Sequence, residues 1–190
     1  MLEVEIKASL GQLKIEQLQE AAKGMGFVQT DSLQEVDAYF NGNDRNFMKT
    51  DEALRLRCCR DLNTGTSETF ITYKGPKLDQ LSSTRLEYET AVGDLSVMRD
   101  LLTALGYQEV FTVDKTRQEW KLPPTEGRAE VTLCLDTVAE LGDYLELETL
   151  TESETQQKAA VESLLQLLDH FGVSRDLLTR KSYLELLMQR

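Results

Sequence analysis

The first strand-like stretch of the chain constrains everything after it. In Leu2-Glu3-Val4-Glu5-Ile6-Lys7, Leu2, Val4 and Ile6 fall on one face of a strand and Glu3, Glu5 and Lys7 on the other. A lone strand of this kind is ordinarily a solvent-facing edge. Here the pattern recurs. Residues 53–59 set Leu54, Leu56 and Cys58 against Arg55 and Arg57, and residues 84–92 set Leu86 and Tyr88 against Arg85, Glu87 and Glu89. Residues 129–136 alternate Val131, Leu133 and Leu135 with Glu130, Thr132, Cys134 and Asp136, and 142–150 place Glu146 and Glu148 opposite Leu145 and Leu147. Further strands are predicted over 36–40, over 68–74 with Lys74 at its end before Gly75-Pro76, and over 107–122, which carries Lys115 and Arg117 in phase and Trp120 out of phase.

Three helices are predicted between the strands. Leu10, Leu13, Leu18, Ala21, Ala22 and Met25 recur at near-helical spacing, with Gly24 and Gly26 as the stop, and Asp94 caps a stripe of Leu95, Met98, Leu101, Leu102 and Leu105 that Gly106 ends. A capping box at Thr151 and Glu154 opens a long helix whose broad stripe includes Val161, Leu164, Leu168 and Phe171, stopped by Gly172. A second capping box, Ser182 with Glu185, opens a short final helix. The polar stretch 41–51 reads as a loop, and its place beside a charged face suits a lid.

If about eight antiparallel strands curl into a barrel and the amphipathic helices cover its apolar exterior, the ionised face is forced inside. The expected fold is therefore α+β, a single domain over 1–190, with an eight-stranded antiparallel β-barrel and helices packed on the outside. Its interior would hold Glu3, Glu5, Glu87, Glu89, Asp136, Glu146 and Glu148 against Lys7, Arg55, Arg57, Lys74, Arg85, Lys115 and Arg117. Uncompensated buried charges cost several kcal/mol each, so such an interior implies ligands. Carboxylates in Glu-x-Glu pairs suit a hard divalent cation, Mg²⁺ or Mn²⁺, and the basic set suits a polyphosphate. The competing reading is an open sheet with a salt-bridged wet face.

Charge narrows the partners. With 33 Asp and Glu against 21 Lys and Arg, the net charge of -12 repels nucleic-acid polymers and membrane phosphates over most of the surface. A phosphate ligand must find a local basic pocket, which a triphosphate-containing small molecule can do. Cys58, Cys59 and Cys134 are odd in number and lack metal-ligand spacing, so they read as reduced packing residues. No signal peptide, membrane span or polybasic segment is evident, and a soluble cytoplasmic monomer or homodimer is expected.

The ordered series Glu3-x-Glu5-x-Lys7, Arg55-x-Arg57, Lys74-Gly75-Pro76, Arg85-x-Glu87-x-Glu89, Lys115-x-Arg117, Asp136 and Glu146-x-Glu148 resembles the CYTH family, the triphosphate tunnel metalloenzymes. Within it, 111–117, 141–144 and Lys181-Ser182-Tyr183 resemble the class IV adenylyl cyclase branch. The resemblance implies an eight-stranded tunnel that binds triphosphate and divalent metal. It gives metal binding to Glu3, Glu5, Asp136 and Glu146, with Glu148, Glu87 and Glu89 as helpers. Phosphate binding falls to Lys7, Arg55, Arg57, Lys74, Lys115 and Arg117, joined by Arg85 and Lys181. The activity implied is ATP to cyclic AMP and pyrophosphate, with Glu3 and Glu5 central to catalysis. The complete Glu146/Glu148 pair also resembles the family's triphosphatases, which act on tripolyphosphate, thiamine triphosphate or nucleoside triphosphates. In some of them a tyrosine and a lysine activate water, and Tyr39 and Lys74 stand at the matching positions. A non-catalytic polyphosphate or nucleotide-binding module is a further alternative. His170 reads as a helix-end residue, and Trp120 and Tyr107 as core rather than as base contacts.

Overall fold

The computed structural model describes residues 2–78, 82–126, 129–151 and 154–190, and the capping box expected at Thr151 and Glu154 and the side chain of Leu2 lie outside what it describes. The strands are β1 (Leu2–Ser9), β2 (Val28–Asn41), β3 (Ala53–Asp61), β4 (Ser67–Lys74), β5 (Glu87–Val92), β6 (Gln108–Leu122), β7 (Val131–Val138), β8 (Gly142–Thr151) and β9 (Leu178–Thr179). The helices are α1 (Ile15–Gly24), α2 (Leu95–Ala104), α3 (Glu154–His170) and α4 (Tyr183–Leu187). The strands form one antiparallel sheet in the order β5-β4-β3-β2-β6-β7-β8-β1-β9.

The expected α+β architecture holds, with two corrections to the eight-stranded barrel. A ninth strand is present, because β9 pairs with Lys7 and Ala8 on the outer edge of β1. The ladder also does not close. The two sides of the sheet meet instead at an isolated bridge between Glu3 and Arg85 and a bond from the Ser83 N–H to the Glu5 carbonyl at 2.9 Å. The result is a barrel-like wall with one seam.

The apolar faces are covered as the alternation demands. Val4, Ile6, Leu133, Leu135, Leu145 and Leu147 pack against Leu18 and Ala22 of α1 and Val161, Leu164 and Leu168 of α3. Ala38, Phe40, Leu54 and Leu56 pack against Leu102 of α2. Helix stops fall where expected: Gly106 and Gly172 take φ of 91° and 71°, a region that a side chain resists. Asp94 caps α2 through a bond from the Val97 N–H at 2.9 Å. Trp120 belongs to the core and Tyr107 packs on Phe47. His170 ends α3 as expected, with its Nδ1 2.6 Å from the Gln166 carbonyl oxygen.

One helix departs from the expectation that helices lie outside. Val113, Val138, Tyr144 and Tyr39 are in phase with the charged interior, and α4 seats Tyr183, Leu184 and Leu187 on them. It is fixed there by the predicted capping box, in which Ser182 Oγ accepts from the Glu185 N–H at 3.2 Å and Glu185 Oε2 from the Ser182 N–H at 2.7 Å. The short helix therefore corks one end of the interior.

Candidate functional site

Register builds the site. In antiparallel ladders, residues directly opposite share a face. The inward face sets Asp37 opposite Arg57, Glu35 opposite Lys115, Arg117 opposite Asp136, Lys7 opposite Glu146 and Lys74 opposite Glu87. Opposite charges thus meet around the wall of a cavity of about 560 Å³. Glu5 faces Glu148, which instead puts two like charges together.

The pairs are close and buried. Arg57 donates from Nε to Asp37 Oδ1 at 2.6 Å, from Nη2 to Oδ2 at 2.7 Å, and from Nη1 to Glu35 at 2.9 Å. Lys115 lies 2.9 Å from Glu35 and 3.1 Å from Asp136. Arg117 forks onto Asp136 at 2.7 and 2.6 Å and also donates to Glu146. Lys7 reaches Glu146 at 3.0 Å and Glu5 at 3.3 Å. Lys74 sits 2.7 Å from Glu87 and 3.8 Å from Glu3. Arg55 donates to Thr72 at 3.3 Å and Glu89 at 3.4 Å. Burial raises the carboxyl of Glu146, but Lys7, Arg117 and Lys115 outweigh it and hold the group well below its usual range. Burial likewise opposes the charge on Lys7, and Glu146 and Glu5 overcome it.

Three carboxylates are compensated less fully, each by one longer ion pair: Glu3 with Lys74 at 3.8 Å, Glu5 with Lys7 at 3.3 Å and Glu148 with Arg117 at 3.9 Å. Oxygens of Glu3, Glu5 and Glu148 lie within 4.8 Å of one another. Burial, against the pull of Lys74 and with Glu87 and Glu5 adding repulsion, lifts Glu3 to about 7. Burial and then Glu3 push Glu148 well above the usual carboxyl range. A hard divalent cation is the partner that an all-oxygen cluster of this kind fits. A second trio, Cys134, Glu146 and Glu148, is equally compact. It is poorer as a site, because Glu146 is committed to Lys7 and Arg117 and burial keeps the Cys134 thiol protonated.

The cavity is lined by Glu3, Glu5, Lys7, Tyr39, Arg55, Arg57, Lys74, Arg85, Glu87, Glu89, Lys115, Arg117, Glu146 and Glu148, all expected from sequence. Two expected residues stand elsewhere. Lys181 is exposed and does not line the cavity, although it donates to Gln189, which does. Asp136 faces inward but is fully buried beneath α4, where Lys115, Arg117 and the Tyr183 hydroxyl at 2.8 Å take up its oxygens, and it does not line the cavity. Tyr183 also lies under two ammonium groups, with Lys7 4.4 Å and Lys115 5.4 Å from its ring centre. Among the described residues, the carboxylate within 4 Å of Arg85 is Asp51, at 3.9 Å.

Sequence reasoning missed Glu35, Asp37, Arg180 and Tyr183. Glu35 and Asp37 carried a signal: they alternate with Val36, Ala38 and Phe40 in the phase of Tyr39. Arg180 follows a two-residue strand that no periodicity could mark.

The CYTH domain family model matches residues 1–183. A protein of Methanocaldococcus jannaschii, named as a candidate adenylate cyclase, is 37% identical over 188 residues, 98% of each chain. The solved structure of the PH1819 protein from Pyrococcus horikoshii is 38% identical, with a TM-score of 0.86 over 98% of each chain. A candidate adenylyl cyclase from Hippeastrum, described as revealing a dominant triphosphatase activity, shares the fold at a TM-score of 0.61 and 13% identity over 99% of this chain and 95% of its own.

Proposed function

Since the chain belongs to the CYTH family, we propose that it is a metal-dependent phosphoryl-transfer enzyme whose cavity binds a triphosphate, and that its reaction is the cyclisation of ATP to cyclic AMP and pyrophosphate. The observation that carries this reading is the convergence of Glu3, Glu5 and Glu148 beside a wall of lysines and arginines. A stability-driven interior would not leave three carboxylates facing one another. The name of the Methanocaldococcus relative favours cyclisation over other triphosphate chemistry.

Glu3, Glu5 and Glu148 would hold Mg²⁺ or Mn²⁺, with Glu87 and Glu89 at the margin. When bound, the ion supplies charge neutralisation at the phosphoryl oxygens and eases loss of the proton from the attacking hydroxyl. The remaining work falls to the protein. Arg55 offers its guanidinium to phosphate oxygens, Arg57 and Arg117, whose forks Asp37 and Asp136 already occupy, contribute charge and their remaining N–H groups, and Lys7, Lys74 and Lys115 offer point charges, with Arg85 completing the set. Their carboxylate partners hold these cations in place before substrate arrives, so little reorganisation accompanies the reaction. The ribose 3′-hydroxyl attacks the α-phosphorus in line and gives its proton to water, the bond from the α-phosphorus to the bridging oxygen breaks, and the cations stabilise the departing pyrophosphate.

Hydrolysis of the triphosphate is the second reading. Tyr39 lines the cavity as a water-activating residue must, and Lys74 lines it too. Incubation of the purified protein with ATP, inorganic tripolyphosphate or thiamine triphosphate and Mg²⁺ or Mn²⁺ separates the two. Cyclic AMP with pyrophosphate is expected, and orthophosphate without cyclic AMP would make hydrolysis the reaction.

A further inference from the structure

Among the described residues, Met48 and Met188 are the large apolar side chains that both stand open to solvent, at 48% and 44%, and line the charged cavity. They come from distant parts of the chain and line the same cavity. Met48 precedes Asp51 by three residues in the loop after β2, and Met188 follows Glu185 by three residues at the end of α4. Lys77 ties the two elements together, reaching Asp51 at 2.6 Å and Glu185 at 3.5 Å. Tyr39 and Leu184 line the same cavity. The cavity therefore combines a charged wall with a thioether-bearing apolar rim.

A bare polyphosphate has no use for that rim. Phosphate oxygens are satisfied by the cations deeper in, and an exposed methionine offers them nothing. A flat heteroaromatic ring is different: unbranched thioether chains re-pack around it and make favourable sulfur–aromatic contacts. We propose that Met48 and Met188 form a subsite for a planar heteroaromatic group carried by the triphosphate, so that the preferred ligand is a nucleotide-like triphosphate rather than inorganic tripolyphosphate. This rests on the triphosphate reading above. Because methionine adapts its shape, the rim separates ligands with a ring from ligands without one more sharply than it separates one ring from another.

The test compares two probes on two proteins. Wild type and the double variant Met48→Ser, Met188→Ser are titrated calorimetrically, in Mg²⁺, with inorganic tripolyphosphate and with an ATP analogue bearing methylene groups at both bridging positions. Both substitutions lie at exposed positions, and a thermal melt confirms folding. The expected result is a loss of about 3- to 150-fold in affinity for the analogue, from two sulfur–ring contacts, with tripolyphosphate binding unchanged. Equal weakening of both ligands, or an analogue affinity that does not move, would overturn the subsite. Wild-type protein that binds neither probe would overturn the triphosphate reading as well.

Discussion

Replacing Asp136 with Asn removes a negative charge where four donors converge: two from Arg117, one from Lys115 and the Tyr183 hydroxyl. The carboxylate is fully buried, so no water can take its place. Breaking a buried ion pair by neutralising one partner costs about 3–5 kcal/mol. Arg117 keeps Glu146 and Lys115 keeps Glu35, which places the loss at the lower end, about 3 kcal/mol. For a chain of this size that corresponds to a fall in Tm of about 6–12 °C. Urea unfolding would measure the loss of stability, and a Mg²⁺ titration of the folded variant would measure its metal affinity. If Asp136 positions cations, the variant is destabilised, binds tripolyphosphate more weakly, and keeps its Mg²⁺ affinity. A variant of unchanged stability that has lost Mg²⁺ binding would show that Asp136 is a metal ligand and that the reasoning from its filled oxygens is wrong.

The pH dependence follows from the cluster of Glu3, Glu5 and Glu148. Glu3, lifted to about 7, and Glu148, lifted well above the usual carboxyl range, retain protons in the folded state at pH values where unfolded carboxyls near 4.5 have released them. Their contribution to stability is present at low pH and declines as pH rises through that window. A cation must displace those protons, so Mg²⁺ uptake at pH 6 is expected to release protons, with affinity rising towards pH 8. Calorimetry in buffers of different ionisation enthalpy would detect this, and proton-neutral binding would contradict it. Glu5→Gln should abolish turnover while sparing tripolyphosphate affinity, whereas Arg57→Ala should weaken both, as activity and binding assays in parallel would show. Equal loss of folding in the two variants would make the charged face structural. Leu164→Ala, which opens a void between α3 and the outer face of the sheet, is expected to cost about 2–5 kcal/mol in denaturant unfolding without changing ligand affinity.

The sequence was most legible where a strand alternates cleanly. β1, β3 and β8 carry enough apolar residues on one face for the other to be read as a charged lining, and the helix stripes with their glycine stops identify the cover. The start of β2 was not legible, since Val28, Gln29 and Thr30 are exposed and show no alternation. Starting that strand too late left Glu35 unplaced and Asp37 without a role, although these are the partners that hold Arg57 and Lys115. Asp136 shows a different limit. Periodicity told which face it occupies, but depth depends on what packs behind it, and the cork formed by α4 could not be foreseen from a short capped segment. Lys181 and Arg180 are adjacent in sequence, and only the turn into α4 decides that Arg180 lines the cavity while Lys181 is exposed beside Gln189 at its margin.

If the charged interior exists to bind a triphosphate together with a divalent cation, both ligands must stabilise the fold, because a ligand that binds only the folded state raises its stability. A thermal melt with tripolyphosphate, with Mg²⁺, and with both is the sharpest test. At a free ligand concentration 100-fold above Kd the expected gain is about 2.7 kcal/mol, or about 5–10 °C in Tm for this size of chain, with the pair exceeding either alone. A Tm that stays fixed under all three conditions would return the interior to a network of structural ion pairs.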